Sequence, residues 1–352
     1  MYSELDILYM RRCLELADNG AGYVAPNPLV GAVIVCDGKL IGEGYHQRYG
    51  EKHAEANAID SVKDKSLLKQ STIYVSLEPC SHRGKQPPCC DLIIRHGIPK
   101  VAVATEDPNP LVAGRGIQRL RDAGIDVQVG LLKEEAQEQN RRFFTFQLKK
   151  RPYVILKWAQ SIDGFIDKKR DINTPPEWLT GPIGQALVHR WRTEEPAIMV
   201  GANTVIRDNP QLTARKWIGR NPLRVVFDKD LSLPKTAAIF NNQAQALVFT
   251  YAREFDKEGY SPSIDIQPID PSKGIEEQLL SELYKRNIQS ILVEGGGYIL
   301  TQFINKGLWD EARVFTANKM LTNGLRAPSL SGSLIEKVAL PDFELKVFKS
   351  IK

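Results

Sequence analysis

His53-Ala54-Glu55-Ala56-Asn57-Ala58 and Glu78-Pro79-Cys80-Ser81-His82-Arg83-Gly84-Lys85-Gln86-Pro87-Pro88-Cys89, separated by the apolar run Thr72-Ile73-Tyr74-Val75-Ser76-Leu77, decide how the first half of this chain folds. One imidazole, two thiols and a carboxylate stand at the ends of short predicted elements. His53, Cys80 and Cys89 would hold Zn²⁺ through three protein ligands. The fourth tetrahedral position stays open for water, as in hydrolytic zinc sites. Bound zinc lowers the pKa of such a water to roughly 7. Glu55 lies two residues after the His, so on one helix the two side chains cannot share a direction. A carboxylate beside the metal rather than on it suits a proton shuttle. The competing reading is a pair of buried structural cysteines and a solvated Glu, since free Cys is often core.

Zinc deaminases carry His-x-Glu followed by Pro-Cys-x-x-Cys, with the Glu as general acid and base. This chain has His53-Ala54-Glu55 and Pro79-Cys80, but eight residues rather than two separate Cys80 from Cys89. Cys90 is the alternative ligand. Cys89 is preferred because it follows Pro87-Pro88 directly, at the start of a predicted helix whose N-terminus favours a thiolate.

Outward from this stretch, apolar residues at Leu5, Leu8, Tyr9, Cys13, Leu16 and Ala17 predict a helix over 4–18. Residues 29–36 read as a buried strand, and Asp37-Gly38 as a tight hairpin into 40–45. A short helix over 53–62, strands at 72–77, 101–105 and 125–129, and helices at 88–96 and 116–123 follow. Alternating strands and helices imply an α/β layer with a mostly parallel sheet. Cys13 and Cys36 read as core. His46, His82 and His96 read as surface or supporting residues, with His82 the best placed of the three to touch a substrate. Residues 134–150 read as one helix leading into a linker that Pro152 closes, so domains are expected at 1–149 and 150–352. In the second, strands are predicted at 153–159, 197–200, 224–227, 246–250, 290–293, 308–315 and 343–348. Helices are predicted at 181–192, 201–208 and 298–306.

The totals fit this division. At 352 residues, 42% hydrophobic and 25% charged, the chain can bury two sizeable cores. A net charge of +5 suits a phosphorylated substrate or cofactor and falls short of a nucleic-acid-binding profile. No run approaches the roughly 18 apolar residues of a membrane span. The first residues lack the basic-then-apolar order of a signal peptide. Five cysteines, an odd number, fit a reducing cytoplasm.

The second half carries two strand–glycine–helix turns, at Gly201 and at Gly295-Gly296-Gly297. Glycines admit a phosphate to the backbone, and a helix N-terminus offers N–H donors. Lys157, Asp163, Arg192, Thr204, Asp208, Arg215 and Glu294 lie near these turns in the reading. Together they indicate an anion or nucleotide site, or else a solvated charged face.

With both halves in view, the chain closely resembles the bifunctional riboflavin-biosynthesis proteins of bacteria, in which a pyrimidine deaminase is fused to a reductase. The resemblance rests on Ala25-Pro26-Asn27-Pro28-Leu29-Val30-Gly31, on the two stretches quoted first, and on Lys157-Trp158-Ala159-Gln160-Ser161-Ile162-Asp163-Gly164. It rests also on the run from Gly201 to Arg215 and on Val293-Glu294-Gly295-Gly296-Gly297. The eight-residue cysteine spacing is this family's own. The resemblance implies a cytidine-deaminase-like three-layer α/β domain followed by a dihydrofolate-reductase-like α/β domain that uses NADPH. It implies zinc on His53, Cys80 and Cys89 with Glu55 as shuttle, and a deaminase substrate meeting Asn27 and His82. Ala159, Thr204, Asp208, Gly296, Gly297, Tyr298, Ile299, Leu300, Thr301 and Gln302 would meet NADPH. Trp178, Arg192, Leu212, Arg215 and Glu294 would meet the reductase substrate. Lys157, Asp208 and Glu294 are the candidates for chemistry at the ribose. It further implies a phosphorylated pyrimidine substrate, and self-association as a dimer or tetramer through the second domain. Gln160, where relatives often have Ala, and Lys85-Gln86, in place of Arg-Thr, depart from the family pattern. A nucleic-acid base deaminase would need a basic face that the charge does not support. An inactive scaffold sits poorly with an intact His53, Glu55, Cys80 and Cys89.

Overall fold

The computed structural model describes residues 2–82, 87–110, 112–171 and 174–351. The chain divides into two compact units, Met1–Lys150 and Arg151–Lys352. Lys85 and Gln86 lie outside the described residues.

The first unit runs α1 (Glu4–Asp18), β1 (Gly31–Cys36), β2 (Lys39–Tyr45), α2 (Ala54–Ser61), β3 (Ser71–Val75), α3 (Cys89–His96), β4 (Lys100–Val103), α4 (Arg115–Asp122), β5 (Asp126–Val129), α5 (Lys133–Gln139) and α6 (Arg141–Lys149). Ser3 and Asp6 form a reciprocal cap that starts α1. Asp37 and Gly38, both at positive φ, make the hairpin turn. The sheet order is β2-β1-β3-β4-β5. Only β3–β4 and β4–β5 are parallel; β1 is antiparallel to both neighbours. The expected mostly parallel sheet is therefore mixed here, because the hairpin adds its strands at one edge. Alternate side chains divide the layers. Val33 and Val35 face Met10, Cys13 and Leu16 of α1, and Ala32 and Ile34 face α2, α3 and α4.

The helix expected over 134–150 is two helices, broken at Asn140. The Asn140 amide bonds both the N–H and the C=O of Leu29, each at 2.8 Å. That pairing takes the residue out of helical geometry and clamps the segment following Pro28.

The second unit runs β6 (Tyr153–Ser161), β7 (Phe165–Asp167), α7 (Pro182–Glu194), β8 (Ala197–Gly201), α8 (Ala202–Asp208), β9 (Leu223–Phe227), β10 (Ala246–Thr250), β11 (Ile264–Pro268), α9 (Ile275–Lys285), β12 (Ser290–Glu294), α10 (Gly297–Asn305), β13 (Glu311–Ala317), β14 (Leu325–Arg326), β15 (Ser333–Ala339) and β16 (Phe343–Lys349). Its main sheet has the order β11-β10-β9-β8-β12-β6-β13-β16-β15. From β11 to β13 all neighbours are parallel, and β16 and β15 close the edge antiparallel. Leu156, Trp158 and Val293 pack with α9 and α10. Ile155, Leu292 and Phe315 pack with Val188 and Trp191 of α7. β7, β11, α9, β14 and β15 are elements the sequence reading omits.

Candidate active sites

In the first unit, α2 begins one residue after His53. His53 is the N-cap, with an extended backbone at ψ 167°, and not a helical residue. His53 thus precedes the helix on which it was expected, while Glu55 lies within α2 and is buried. Cys80 follows β3, and Cys89 is the first residue of α3. His53 Nδ1 lies 3.5 Å from Cys80 Sγ and 3.3 Å from Cys89 Sγ. The three donor atoms fall within 4.8 Å of one another. A tetrahedral zinc with ordinary Zn–N and Zn–S bonds sets N and S about 3.6 Å apart, so the donors fit that ion.

Cys89 N–H also donates to Cys80 Sγ at 3.3 Å. The Cys89 thiol and His53 hold the Cys80 pKa below the ordinary thiol range. Cys90 is buried, and its thiol donates to Pro79 O at 3.2 Å and Gly116 O at 3.4 Å. It points to backbone rather than to the donors. Cys13 is buried and donates to Tyr74 O.

Glu55 is 3% exposed. Burial, reinforced by the Cys80 charge, pushes its carboxyl up to about 7. A carboxyl that hovers between its two forms near neutrality is suited to passing protons. His46 is buried and stacks edge-on to His53, with ring centroids 5.3 Å apart. Its Nδ1 bonds Lys52 O, and its Nε2 faces Asn27 Nδ2 at 3.0 Å. A cavity of about 680 Å³ opens onto His53 and Cys89 and is bounded by Lys52, Ser81, Arg95 and Arg119. His82 is exposed.

Glu78 is a residue to which the sequence reading gave no role. It is 4% exposed, and its carboxylate accepts four backbone N–H groups: Asp107 at 3.1 Å, Gly114 at 3.0 Å, Gly116 at 2.8 Å and Ile117 at 3.3 Å. It serves as the anion at the N-terminus of α4, which has no side-chain cap of its own. Gly116 sits so close that a Cβ there would lie 2.0 Å from Pro79 O.

In the second unit, Lys157 on β6 and Glu294 at the end of β12 are register partners. Arg192 on α7 grips Glu294 with two bonds of 2.9 Å, and Lys157 Nζ lies 3.8 Å from the same carboxylate. Burial alone would raise the Glu294 carboxyl, but Arg192 and Lys157 outweigh it and hold the pKa at about 2. Burial lowers the Lys157 pKa. Arg192 also donates to Thr213 O at 3.2 Å, and the Arg215 guanidinium bonds Gln211 and Thr213 side chains at 2.8 and 2.9 Å.

Gly201 ends β8 and Gly295 directly follows the adjacent strand β12. Gly295 and Gly296 have positive φ, and a Cβ on Gly296 would meet Thr204 Oγ1 at 3.1 Å. Among the described residues, nothing stands within 4 Å of a Cβ on Gly295. Backbone N–H groups at the start of α10 are thus open to a phosphate, which fits a dinucleotide.

The other carried-over residues are placed less uniformly. Ile299, Leu300 and Leu212 are buried, with their side chains in cores, so only their backbone could meet a ligand. Thr301 Oγ1 bonds Gly297 O within its own helix. Gln302 is half-buried on α10, and Ala159 lies half-buried on β6. Tyr298 and Trp178 are exposed. Asp208 accepts from Arg170, which also binds Asp167 at 2.7 Å, so its carboxylate is engaged apart from the Lys157–Glu294–Arg192 group. Asp163 caps the backbone N–H groups of Leu321 and Thr322. Gln160 accepts from the Trp158 indole at 2.8 Å.

Two family descriptions match the chain. "Cytidine and deoxycytidylate deaminase zinc-binding region" covers residues 3–105, and "RibD C-terminal domain" covers residues 152–351. The riboflavin biosynthesis protein RibD of Aquifex aeolicus is 40% identical over 339 residues, spanning 96% of this chain and 94% of its own. That of Escherichia coli K12 is 36% identical over 362 residues, spanning 98% and 96%. A crystal structure of a diaminohydroxyphosphoribosylaminopyrimidine deaminase/5-amino-6-(5-phosphoribosylamino)uracil reductase from Thermotoga maritima superposes with a TM-score of 0.89 at 38% identity, covering 98% of this chain and 99% of that one. The Acinetobacter baumannii RibD structure gives 0.90 at 33% identity, with 99% of each chain covered. The fold these structures share is the expected one, a cytidine-deaminase-like domain followed by a reductase domain. With a buried carboxyl beside a His–Cys–Cys donor set in one unit, a buried Lys157–Glu294–Arg192 cluster in the other, and near-full-length likeness to these proteins, the chain belongs to the RibD family of bifunctional riboflavin-biosynthesis deaminase–reductases.

Proposed function

We propose that residues 1–149 deaminate 2,5-diamino-6-ribosylamino-4(3H)-pyrimidinone 5′-phosphate, exchanging its 2-amino group for oxygen and releasing ammonia. Residues 150–352 then reduce the ribosyl chain of the product to ribityl with NADPH. The convergence of His53, Cys80 and Cys89 next to buried Glu55 carries this reading. His53, Cys80 and Cys89 hold Zn²⁺, which when bound makes hydroxide available near neutral pH. Glu55 takes the proton from the attacking water and delivers it to the departing amino nitrogen. Asn27 has its Nδ2 committed to His46, so its Oδ1 is left to accept an N–H of the pyrimidine.

In the second unit, Arg192 and Arg215 bind the anionic substrate, and the Gly295–Gly297 turn with Thr204 receives the cofactor. NADPH, when bound, supplies hydride to C1′ of the ribose. Lys157, with a pKa lowered by burial, gives its proton to the ring oxygen as the ribosylamine opens to an imine. Glu294 stays ionised and keeps Lys157 and Arg192 in place. Asp208, paired with Arg170, is better suited to a ribose hydroxyl of the cofactor than to proton transfer.

The same reading includes a cytoplasmic location and a homo-oligomer, dimer or tetramer, with neither nucleic acid nor membrane as partner. None of the five cysteines is joined in a disulfide, which suits a reducing compartment. No helix among the described residues is long and apolar enough to cross a membrane. The deciding experiment gives the zinc-loaded protein the pyrimidine phosphate and follows ammonia and NADPH separately. Both signals are expected, in that order. Absence of ammonia release overturns the first assignment, and ammonia without NADPH oxidation reduces the second unit to a binding module.

A further inference from the structure

His189 has no role in the chemistry above. It lies on α7 three residues before Arg192, so the two side chains share a face. From that face both reach the turn 211–215. Arg192 Nη1 donates to Thr213 O at 3.2 Å, and the backbone N–H of Arg215 donates to His189 Nδ1 at 2.9 Å. Because Nδ1 is the acceptor, the ring proton sits on Nε2 and the imidazole is neutral. His189 is 6% exposed. Burial, with help from Arg192 and Arg215, pushes its pKa down to about 4, so the accepting form persists at neutral pH.

The turn it holds is not self-supporting. Leu212 has a φ of +56°, which an L residue adopts only under constraint. Ala214 N–H is taken by Asn221 Oδ1 at 2.8 Å. The Arg215 guanidinium leans back on Gln211 and Thr213. Where the guanidinium stands therefore depends on where the Arg215 peptide is fixed.

We propose that His189 is a positioning residue of the reductase site, aiming Arg215 at the phosphate-bearing substrate by accepting its backbone N–H. The proposal rests on the reading of Arg215 as a substrate contact. In this role His189 acts through the Arg215 backbone N–H that it accepts.

Two polar substitutions in the full chain separate this from a packing role. His189→Asn puts an amide oxygen where Nδ1 stands, and His189→Gln moves it one carbon farther out. The Asn variant should keep the KM for the deaminated substrate within about threefold of the parent, and the Gln variant should raise it about tenfold, the scale of one buried hydrogen bond. The KM for NADPH and the rate of ammonia release should stay unchanged in both. Equal KM values in the two variants, a fall in kcat alone, or a parallel loss of NADPH binding or ammonia release would each overturn the proposal. Arg215→Ala, run alongside, isolates the underlying reading. If it leaves KM unchanged, Arg215 is not a substrate contact; if it raises KM while His189→Gln does not, the fault lies with His189.

Discussion

Cys89 and Cys90 are neighbours in the chain whose thiols serve different partners. Cys89 Sγ meets His53 Nδ1 at 3.3 Å, and Cys90 donates to the carbonyls of Pro79 and Gly116. The first turn of α3 thus separates a donor from a structural thiol. Cys89→Ser should strip the protein of zinc and abolish ammonia release. Cys90→Ala should keep a full complement of metal and cost stability alone, about 1 kcal/mol. Metal content by mass spectrometry of the native protein, beside thermal melts, checks both.

Glu55 is beside the donor set rather than part of it. Glu55→Gln keeps the shape, removes the exchangeable proton, and should retain zinc while slowing ammonia release by about 100-fold or more. NADPH oxidation on substrate already deaminated should be untouched. Full ammonia release from a zinc-loaded Gln variant would remove Glu55 from proton transfer.

Glu294 makes a pH-dependent contribution to stability. Its folded-state pKa of about 2 lies below the ordinary carboxyl value of 4.5, so its contribution is complete above about pH 4.5 and is lost as pH falls toward 2. The difference corresponds to on the order of 3 kcal/mol. Glu294→Gln should therefore unfold more readily than the parent at pH 6, and the gap should narrow steadily below pH 4.5. Denaturant melts across that range measure it. NADPH oxidation should fall as well, since Arg192 and Lys157 lose their shared anion.

Asn140 clamps Leu29 through two bonds of 2.8 Å. Asn140→Ala leaves the half-buried Leu29 N–H and C=O without their side-chain partners and should cost about 1 kcal/mol. Because Asn27 is two residues away, the KM for the deaminase substrate should rise while the NADPH-dependent step is spared. A variant as stable as the parent would show that the clamp is dispensable.

The zinc donors are legible in the sequence because each sits at the boundary of an element with a clear local signal. Pro87-Pro88 marks the start of α3, and the apolar run before Glu78 marks β3. The break at Asn140 is not legible, because residues 133–149 favour helix throughout and a contact 111 residues away decides the matter. β15 is exposed along its whole length, so it lacks the alternation that betrays a half-buried strand. Glu78 reads as part of a motif, yet its work lies in four amides that close on it only in three dimensions. His189 leaves one trace, the His-x-x-Arg spacing that puts it on the Arg192 face of α7. The Lys157–Glu294 pairing depends on strand register, which no short motif records.

The Glu78 knot also limits how the protein can change. One side chain ties the residue preceding Pro79-Cys80 to amides at 107, 114, 116 and 117, so the length of that connection is locked to the metal turn. Side chains there can vary only where the backbone admits them, which excludes Gly116, whose added Cβ would lie 2.0 Å from Pro79 O, and Gly114, which has a φ of +75°. Inserting or deleting a single residue between 107 and 117 would instead pull the carboxylate, and Cys80 with it, out of alignment.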